Sequence, residues 1–233
     1  MIKKRNKSGF SLLETLIGSA IFIVVLGIMT NFTFNFTAYS NRLSQTSDLD
    51  DSLRLTNIRI IKEIEQCSAV LSSYTAPNST YGTALDGTIT FVTTNTTAGS
   101  VMILTRKVVN KTTYVPYSND SQNTSLNDVI IIKYDSATGK MIFSLIPATM
   151  AIILITDRSI PIRKSVLNSS LILNADDSSY IPFVFYKYSG STPESNLKLV
   201  SMVVLKLKGK KVYGNYVLNK NTEEKISLRN FSA

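Results

Sequence analysis

A single carboxylate lies inside a long apolar segment near the start of the chain. From Phe10 to Phe36 the sequence contains no Lys, Arg, Asp or Pro, and Glu14 is the only charged residue. A carboxylate at the centre of a bilayer costs about 2.5–3.5 kcal/mol on insertion scales, so such a residue normally has a partner and a function. Glu14 is therefore the first candidate functional residue, and the chemistry that it offers is pairing with a positive charge in an apolar environment.

The segment that precedes Phe10 is a basic leader that ends at Gly9. Its basic residues are Lys3, Lys4, Arg5 and Lys7. As a helix, the apolar segment would extend about 40 Å, which exceeds the ~30 Å hydrocarbon core of a membrane. Because basic residues favour the cytoplasmic side, we predict a single transmembrane helix with a cytoplasmic N-terminus and an extracytoplasmic remainder.

The basic leader, Gly9-Phe10, Glu14 and the uninterrupted apolar helix together resemble the N-terminus of the type IV pilin-like proteins. This family contains type IV pilins and the pseudopilins of type II secretion and competence. The resemblance implies that a prepilin peptidase cuts between Gly9 and Phe10 and that Phe10 becomes the N-methylated residue. It also implies that Glu14 neutralises the N-terminal amine of a neighbouring subunit during filament assembly.

Two simpler interpretations of the same segment remain open. A secretory signal peptide has an apolar region of only about 7–15 residues and a small-residue cleavage site, and neither property fits this sequence well. A plain single-span anchor fits the length and the charge bias, but it leaves Gly9-Phe10 and Glu14 unexplained. The first alternative therefore conflicts with the sequence, whereas the second only fails to account for part of it.

Composition limits the possible chemistry of the rest of the chain. The 233 residues include one cysteine, Cys67, and neither histidine nor tryptophan. An intramolecular disulfide is excluded, as are histidine-based catalysis and imidazole metal ligation. The sequence contains no phosphate-binding loop or nucleophile elbow. We therefore predict a protein that is not an enzyme and has no cofactor or metal.

Two charged features have an ordinary and a functional interpretation. The formal net charge is +9, and removal of the leader lowers it to +5. The densest basic cluster, Lys206, Lys208, Lys210 and Lys211, is typical of a solvated strand edge and turn; DNA is a partner only if the protein serves a competence pseudopilus. Asp176-Asp177 could form part of a calcium loop, but two adjacent acids are more often solvated turn residues, since Ca²⁺ prefers 6–8 oxygen ligands.

Beyond the apolar segment, a narrower apolar stripe recurs at helical spacing. It consists of Leu49, Leu53, Thr56, Ile60, Ile64, Cys67 and Leu71. The spacing predicts one helix from about Ser11 to Leu71, whose second half packs this stripe on the outer domain. Cys67 is interpreted as a small buried apolar group. Leu55, Ile58 and Ile61 lie off the stripe and are either ordinary exposed residues or a surface that meets neighbouring helices.

From Tyr74 onward the sequence changes to β-branched and aromatic segments separated by Gly, Asn, Asp and Ser. The predicted strands are Thr88–Thr93, Ser100–Val108, Asp128–Tyr134, Lys140–Ile146, Ala151–Thr156, Pro182–Tyr188, Leu197–Lys208, Val212–Val217 and Lys225–Arg229. Residues 135–139 are predicted to form a hairpin loop. The predicted fold is α+β: a long N-terminal helix, with a membrane half and an amphipathic half, packed on an antiparallel β-rich domain. The predicted divisions are 1–9 leader, 10–36 transmembrane and assembly helix, 37–72 amphipathic helix and 73–233 globular domain.

The function predicted from these features is that of a structural minor subunit of a pilus, secretion pseudopilus or competence pseudopilus. Residues 183–188, 197–208 and 226–230 look like the end of larger minor pilins and J-type minor pseudopilins. The expected partners are a prepilin peptidase, other pilin or pseudopilin subunits and the membrane. The expected location is the cytoplasmic membrane and, after assembly, a cell-surface filament. The alternatives are a membrane-anchored extracytoplasmic binding protein that forms no filament and, with less support, a surface enzyme.

Overall fold

A computed structural model describes residues 11–76, 90–93, 98–110, 113–148, 163–167, 172–173, 180–187, 193–214 and 216–228 of the chain. The chain divides into two compact units, Met1–Ser47 and Asp48–Ala233. Helix α1 (Leu12–Glu65) begins in the first unit and ends in the second. The described part of the second unit otherwise consists mainly of antiparallel strands, which confirms the predicted α+β class.

Three sheets are present among the described residues of the second unit. The strands are β1 (Ala69–Leu71), β2 (Ser73–Thr75), β3 (Thr90–Val92), β4 (Ala98–Gly99), β5 (Val101–Lys107), β6 (Asn127–Asp135), β7 (Lys140–Ile146), β8 (Arg163–Val166), β9 (Ile172–Leu173), β10 (Phe183–Tyr186), β11 (Met202–Tyr213) and β12 (Tyr216–Ser227). The first sheet has the order β1-β5-β6-β7-β8, and the second has the order β12-β11-β10-β4, with β9 pairing to β11. Strands β2 and β3 form the third.

The main core of the second unit lies between one face of α1 and the two larger sheets. The helix contributes Leu49, Leu53, Ile60 and Ile64 to this core. The first sheet contributes Ile130 and Ile132, and the second contributes residues such as Phe183, Phe185 and Leu205. Because side chains alternate across a strand, Ile131 of β6 faces the other way and packs in a second cluster with Tyr74 and Phe91 of the β2–β3 sheet. The central strand β6 is thus covered on both faces.

Helix α1 ends at Glu65, short of the predicted end at Leu71. Cys67 and Leu71 are buried as expected, but Cys67 follows the helix and Leu71 belongs to β1. The reason is a competing backbone partner, since the Ser68 amide donates to the Thr105 carbonyl of β5 at 2.8 Å. The next three residues then pair with β5. The apolar residues keep their helical spacing as far as Leu71, but beyond Glu65 the backbone bonds to β5 instead of continuing the helix. The predicted end of the helix was wrong for this reason.

Arg106 of β5 ties the end of the helix to the first sheet. Its guanidinium lies 3.2 Å from an oxygen of the buried Asp128 on β6 and 3.9 Å from Glu63 of α1. It also donates to the Gln66 side-chain oxygen at 3.3 Å. The second oxygen of Asp128 accepts from the Ala148 amide at 3.1 Å. A buried carboxylate needs such partners because removal from water is costly for an unpaired charge.

Strands β11 and β12 form one long hairpin, which differs from the prediction. Their twelve-residue register runs from Met202 opposite Ser227 to Tyr213 opposite Tyr216. The range 212–217, predicted as a separate strand, is the closed end of this hairpin. Gly214 adopts a left-handed backbone with φ of 54°, as a tight hairpin turn requires. The start of the predicted strand 197–208 is instead a 3₁₀ turn, η1 (Leu197–Leu199), capped by Asn196.

Several other predicted strands match the structure closely. The hairpin loop between β6 and β7 is confirmed, with Gly139 at a φ of 63°. Within it, hydrogen bonds from Thr138 and Ala137 reach the Asp135 carboxylate and lower its pKa, the Thr138 hydroxyl being the main cause. The predicted strand Ala151–Thr156 lies outside the described residues, as does the start of Thr88–Thr93.

Gly209 of β11 lies directly against Leu53 of the helix. A Cβ atom placed on Gly209 would lie 2.9–3.0 Å from the side chain of Leu53, which is closer than carbon atoms normally approach. Leu53 is itself fully buried in the main core, so its side chain has little room to move. The absence of a side chain at Gly209 therefore allows the second sheet to lie directly on the helix.

We predict that Gly209→Ala destabilises the second unit by about 1–3 kcal/mol, the usual cost of overpacking. In a Leu53→Ala background the same substitution should cost little, because the clashing atoms are gone. Gly27→Ala, whose added Cβ meets no other atom within 4 Å, is the control. Denaturant unfolding of the full chain in detergent measures the free energies of all four variants. An equal cost of Gly209→Ala in both backgrounds would contradict the close approach.

Burial also determines the chemistry of Cys67. Its Sγ donates to the Glu63 carbonyl at 3.1 Å, and burial raises the pKa of the thiol well above its ordinary value, although the charge of Arg106 opposes the shift. We therefore predict that a disulfide reagent leaves the folded protein unmodified at pH 8 and labels one thiol after unfolding. Labelling of the folded protein at the rate of a free thiol would refute this burial.

The same pKa shift predicts a pH dependence of stability. The thiol of the unfolded chain ionises above pH ~8.5, whereas the buried thiol of the folded chain stays protonated. Ionisation therefore favours the unfolded chain, so the stability that the buried thiol contributes is present at lower pH and is lost as the pH rises. From pH 8 to pH 10 the native chain should lose about 2 kcal/mol more stability than Cys67→Ala, by linkage. The comparison removes the titration of other groups, which both chains share. An identical pH profile for the two chains would contradict the prediction.

Candidate functional site at the N-terminal helix

The described part of the candidate site begins at Ser11. The leader residues Lys3, Lys4, Arg5 and Lys7 and the predicted processing residues Gly9 and Phe10 lie outside the described residues. Glu14 is described, and it lies in the first turn of α1. The geometry of the site is therefore the geometry of the start of the helix and of the apolar segment that follows.

Ser11 and Glu14 hold each other in a reciprocal cap. The Ser11 amide donates to the Glu14 Oε2 atom at 2.9 Å, and the Glu14 amide donates to the Ser11 Oγ atom at 3.2 Å. The Thr15 amide donates to the Ser11 carbonyl at 3.2 Å, which is the first helical hydrogen bond. This is a capping box, in which a Ser and a Glu three residues later satisfy two amides that would otherwise lack partners. A negative charge here also interacts favourably with the helix dipole.

Ser11 was not among the residues predicted for the site. The signal was nevertheless present, because Ser-x-x-Glu before an apolar run is the sequence pattern of a capping box. The pattern places Glu14 in the helix cap. It completes the helix start through its own chain, and it is also the only charged side chain of the apolar segment.

The helix that follows exposes its apolar side chains throughout the first unit. The described residues from Ser11 to Ser44 are all exposed, including large side chains such as Phe22, Phe32 and Phe34. By length and composition, α1 is the one helix among the described residues that could cross a membrane. A surface this apolar is unstable in water, so it requires lipid or another protein as its surroundings.

Polar side chains inside the apolar segment are satisfied by the helix itself. The hydroxyls of Thr15, Ser19, Thr30 and Thr33 donate to carbonyls three or four residues earlier, at 2.7–2.9 Å. The side-chain amide of Asn35 donates to the side-chain oxygen of Asn31 at 2.9 Å. Such internal bonds remove the cost of placing these groups in hydrocarbon. The polar side chains of this segment are thus compatible with an apolar environment, because they form hydrogen bonds within the helix.

The predicted packing residues of the helix come together in the second unit. Leu49, Leu53, Ile60 and Ile64 lie on the buried face of α1, with Cys67 just beyond it in the same core. Leu71 is buried in the second cluster rather than the first. Leu55 and Ile58 are exposed, whereas Ile61 packs partly against the main core.

The basic cluster lies on the half of β11 that leads to the hairpin turn. Lys206, Lys208, Lys210 and Lys211 all belong to β11, which pairs with β12 along its whole length, with β10 only from Met202 to Leu205 and with β9 at Gly209 and Lys210. Lys211 and Lys206 form ion pairs with Asp48 at 3.5 Å and Glu223 at 3.7 Å. Lys208 lies over the ring of Tyr180, with its Nζ atom 5.8 Å from the ring centre. The sequence pattern identified the strand but not these partners.

The described residues contain no cluster of three or more His, Cys, Asp or Glu side chains that could hold a metal ion. Asp176 and Asp177, the calcium candidates of the sequence, lie outside the described residues.

Comparison with known proteins agrees with this location of the site. The family model of the prokaryotic N-terminal methylation motif matches residues 4–30, which cover the leader from Lys4 onward and the first part of α1. No curated protein and no solved structure matches the chain. The match includes Gly9, Phe10 and Glu14 within its span. The N-terminal segment of the chain is therefore similar to the prokaryotic N-terminal methylation motif, and the rest of the chain has no match.

Proposed function

We propose that the protein is a minor pilin or pseudopilin, a structural subunit that is cut by a prepilin peptidase and assembled through α1. The observation that carries this proposal is the methylation motif at residues 4–30, which joins the basic leader to a capped apolar helix. Pilin-like proteins are structural rather than catalytic, so filament assembly is the activity that this arrangement supports. The machine would be a type IV pilus, a type II secretion pseudopilus or a competence pseudopilus.

Processing in this proposal occurs between Gly9 and Phe10. Before the cut, the basic leader keeps the N-terminus in the cytoplasm, and α1 anchors the chain with the second unit outside. After the cut, Phe10 carries a positively charged amine and a methyl group. Removal of the leader also takes away four basic side chains, so the segment that moves out of the bilayer into a filament keeps only the new amine and Glu14 as charges.

Glu14 is the proposed assembly carboxylate. In the single chain its Oε2 atom accepts from the Ser11 amide, a neutral donor that does not neutralise the charge. The mature amine of a neighbouring subunit would neutralise it, and each charge would remove the desolvation penalty of the other. The amine of the same chain is poorly placed for this, because groups at i and i+4 meet only if the first turn is fully formed.

The proposed subtype is a minor subunit rather than the main component of a filament. Residues 183–188, 197–208 and 226–230 look like the end of larger minor pilins and J-type minor pseudopilins. Exposed Leu55 and Ile58 extend the apolar surface of α1 into the second unit and are available to neighbouring helices. DNA would be a partner only in a competence pseudopilus.

The proposal predicts that Gly9→Val blocks processing. A Cβ at this position would keep the peptidase from approaching the scissile backbone, so the variant should stay in the membrane with its leader attached. Co-expression with a prepilin peptidase, followed by N-terminal sequencing, measures this. The native chain and the control Gly18→Ala should both begin at N-methylated Phe10. Normal cutting of Gly9→Val, or a native chain that retains Met1, would instead favour a plain membrane-anchored binding protein.

The proposal also predicts separate effects of Ser11 and Glu14. Glu14→Ala should be cut and methylated normally but enter filaments at least about tenfold less well, since 1.4 kcal/mol already gives that factor. Glu14→Gln should be intermediate, because it keeps hydrogen bonds without the charge. Ser11→Ala loses the cap hydroxyl but keeps the charge, so it should assemble much better than Glu14→Ala.

The measurement compares each variant in sheared filaments with its membrane pool. Equal incorporation of Glu14→Ala and the native chain would contradict the role of the carboxylate. Equal defects in Ser11→Ala and Glu14→Ala would show that helix capping, rather than pairing with an amine, is the function of Glu14.

A further inference from the structure

Asn31 and Asn35 are two amide side chains near the end of the apolar segment, and the helix satisfies them only in part. The Asn35 Nδ2 atom donates to the Asn31 Oδ1 atom at 2.9 Å. A side-chain amide has two donor hydrogens and an acceptor oxygen with two lone pairs. In the described part of the chain, the bond therefore leaves both donors of Asn31 and the oxygen of Asn35 unused. The hydroxyls of Thr30 and Thr33 differ, because each places its single donor on a carbonyl of the helix.

The depth of Asn31 in a membrane makes its unused donors costly. If the apolar segment from Phe10 to Phe36 is centred on a bilayer, Asn31 lies about 12 Å from the midplane, inside the ~15 Å half-thickness of the hydrocarbon core. Asn35 then lies close to the boundary of the core. Hydrocarbon provides no hydrogen-bond partner, so a polar side chain at the depth of Asn31 is stabilised by bonding to another helix. The unused donors therefore indicate a protein partner within the membrane.

The face of α1 that carries Asn31 differs from the rest of the helix in the shape of its side chains. At 100° per residue, the residues between 17 and 38 that lie within about 40° of Asn31 form one narrow face, which we call the amide face. It consists of Ile17, Ala20, Val24, Gly27, Asn31, Asn35 and Ala38. The amide face contains no aromatic residue, whereas all four phenylalanines of α1 lie outside it. The bulkiest side chains of the segment thus leave this face open.

Gly27 lies on the amide face one turn before Asn31. A Cβ atom placed on Gly27 would meet no atom of the chain within 4 Å, so no contact within the chain requires glycine there. Glycine is also less favourable than alanine inside a helix. Transmembrane helices that pack together place small residues at their contact, where the backbones approach closely, and bond across it through amides. In parallel helix pairs, contact residues recur at steps of three and four, and an asparagine among them fixes the register.

We propose that two copies of the chain pair through the amide face in the membrane, as a parallel dimer of the unassembled subunit. The basic leader gives every copy the same orientation, so Asn31 of one copy lies at the depth of Asn31 of the other. Each Asn31 then donates to an amide oxygen of the second copy, and no different protein has to supply a matching group. A two-fold pair is closed, whereas a filament uses head-to-tail contacts, so the dimer must separate before a subunit enters a filament. The inference depends on membrane insertion of α1 but not on processing or filament assembly.

Oxidative cross-linking of the full, uncut chain in lipid vesicles tests the dimer. Cys67→Ala removes the native thiol, and Val24→Cys then places a single thiol on the amide face. Phe22→Cys is the matched control, because it lies at nearly the same depth but about 160° around the helix. In the single chain the two positions are equally exposed, at 60% for Val24 and 63% for Phe22. A disulfide needs Cα atoms within about 7 Å, which only a close helix contact provides. We expect Val24→Cys to form covalent dimer at least about fivefold faster than Phe22→Cys.

A second pair of variants tests the amides themselves. Asn31→Leu with Asn35→Leu, added to the Val24→Cys chain, keeps the segment apolar and should lower the dimer yield at least about fivefold. Thr33→Val is the control, since it removes a hydroxyl that already bonds to the Met29 carbonyl and lies off the amide face, so the dimer should persist. Equal linking of the two cysteines, or linking that survives the two leucines, would overturn the proposal. Absence of a dimer at every protein-to-lipid ratio would also overturn it, because the amide face would then meet lipid alone.

Discussion

Burial of one face of α1 against two sheets is the interaction on which the second unit depends. The helix residues Leu49, Leu53, Ile60 and Ile64 are fully buried, and strands from both larger sheets meet them. With a single cysteine, no intramolecular disulfide can assist this packing. This packing on the helix also positions two strands. Strand β11 lies against the helix because Gly209 permits contact with Leu53, and β5 is joined to the end of the helix because Arg106 pairs with both Glu63 and Asp128. A substitution on this buried face of α1 therefore affects both of the larger sheets, which pack against it.

The first unit is subject to the opposite constraint. Its described helix residues are exposed from Ser11 to Ser44, and its hydroxyl and amide side chains bond within the helix. Nothing in the helix itself covers the apolar surface, so the stability of this part comes from its surroundings. One continuous helix thus joins a segment that needs lipid or neighbouring helices to a segment that completes the core of a β-rich unit. This division explains why the sequence changes from a broad apolar run to a narrow stripe at helical spacing.

The features predicted correctly from sequence are those that depend on local periodicity. The stripe on α1, the strand β7 and the loop before Gly139 all follow from residue spacing and turn chemistry. The end of the helix was misplaced because it depends on the distant Thr105, whose carbonyl takes the Ser68 amide. The buried Asp128–Arg106 pair also joins separate strands and leaves no local pattern.

Two other features, the β11–β12 hairpin and the cap at Ser11, were not predicted although each has a local sequence pattern. Gly-Asn at 214–215, between two tyrosines, is a hairpin turn pattern, and it would have merged the predicted segments into β11 and β12. Ser-x-x-Glu at 11–14 would have predicted the cap. The cationic partner proposed for Glu14 would lie on another chain, so no residue spacing within this sequence indicates it.

The cap sets an energetic condition on the proposed assembly. If a neighbouring amine takes the Glu14 oxygen that now accepts from Ser11, the new pair must exceed the value of the cap, which is about 0.5–2 kcal/mol for capping residues in general. A charged pair in an apolar environment can do so, because it also removes the desolvation penalties of both charges. A neutral donor offers no comparable gain over the Ser11 amide. Under the proposed assembly, capping by Ser11 would make the exchange selective for a cationic partner and would satisfy Glu14 in the membrane until that partner binds.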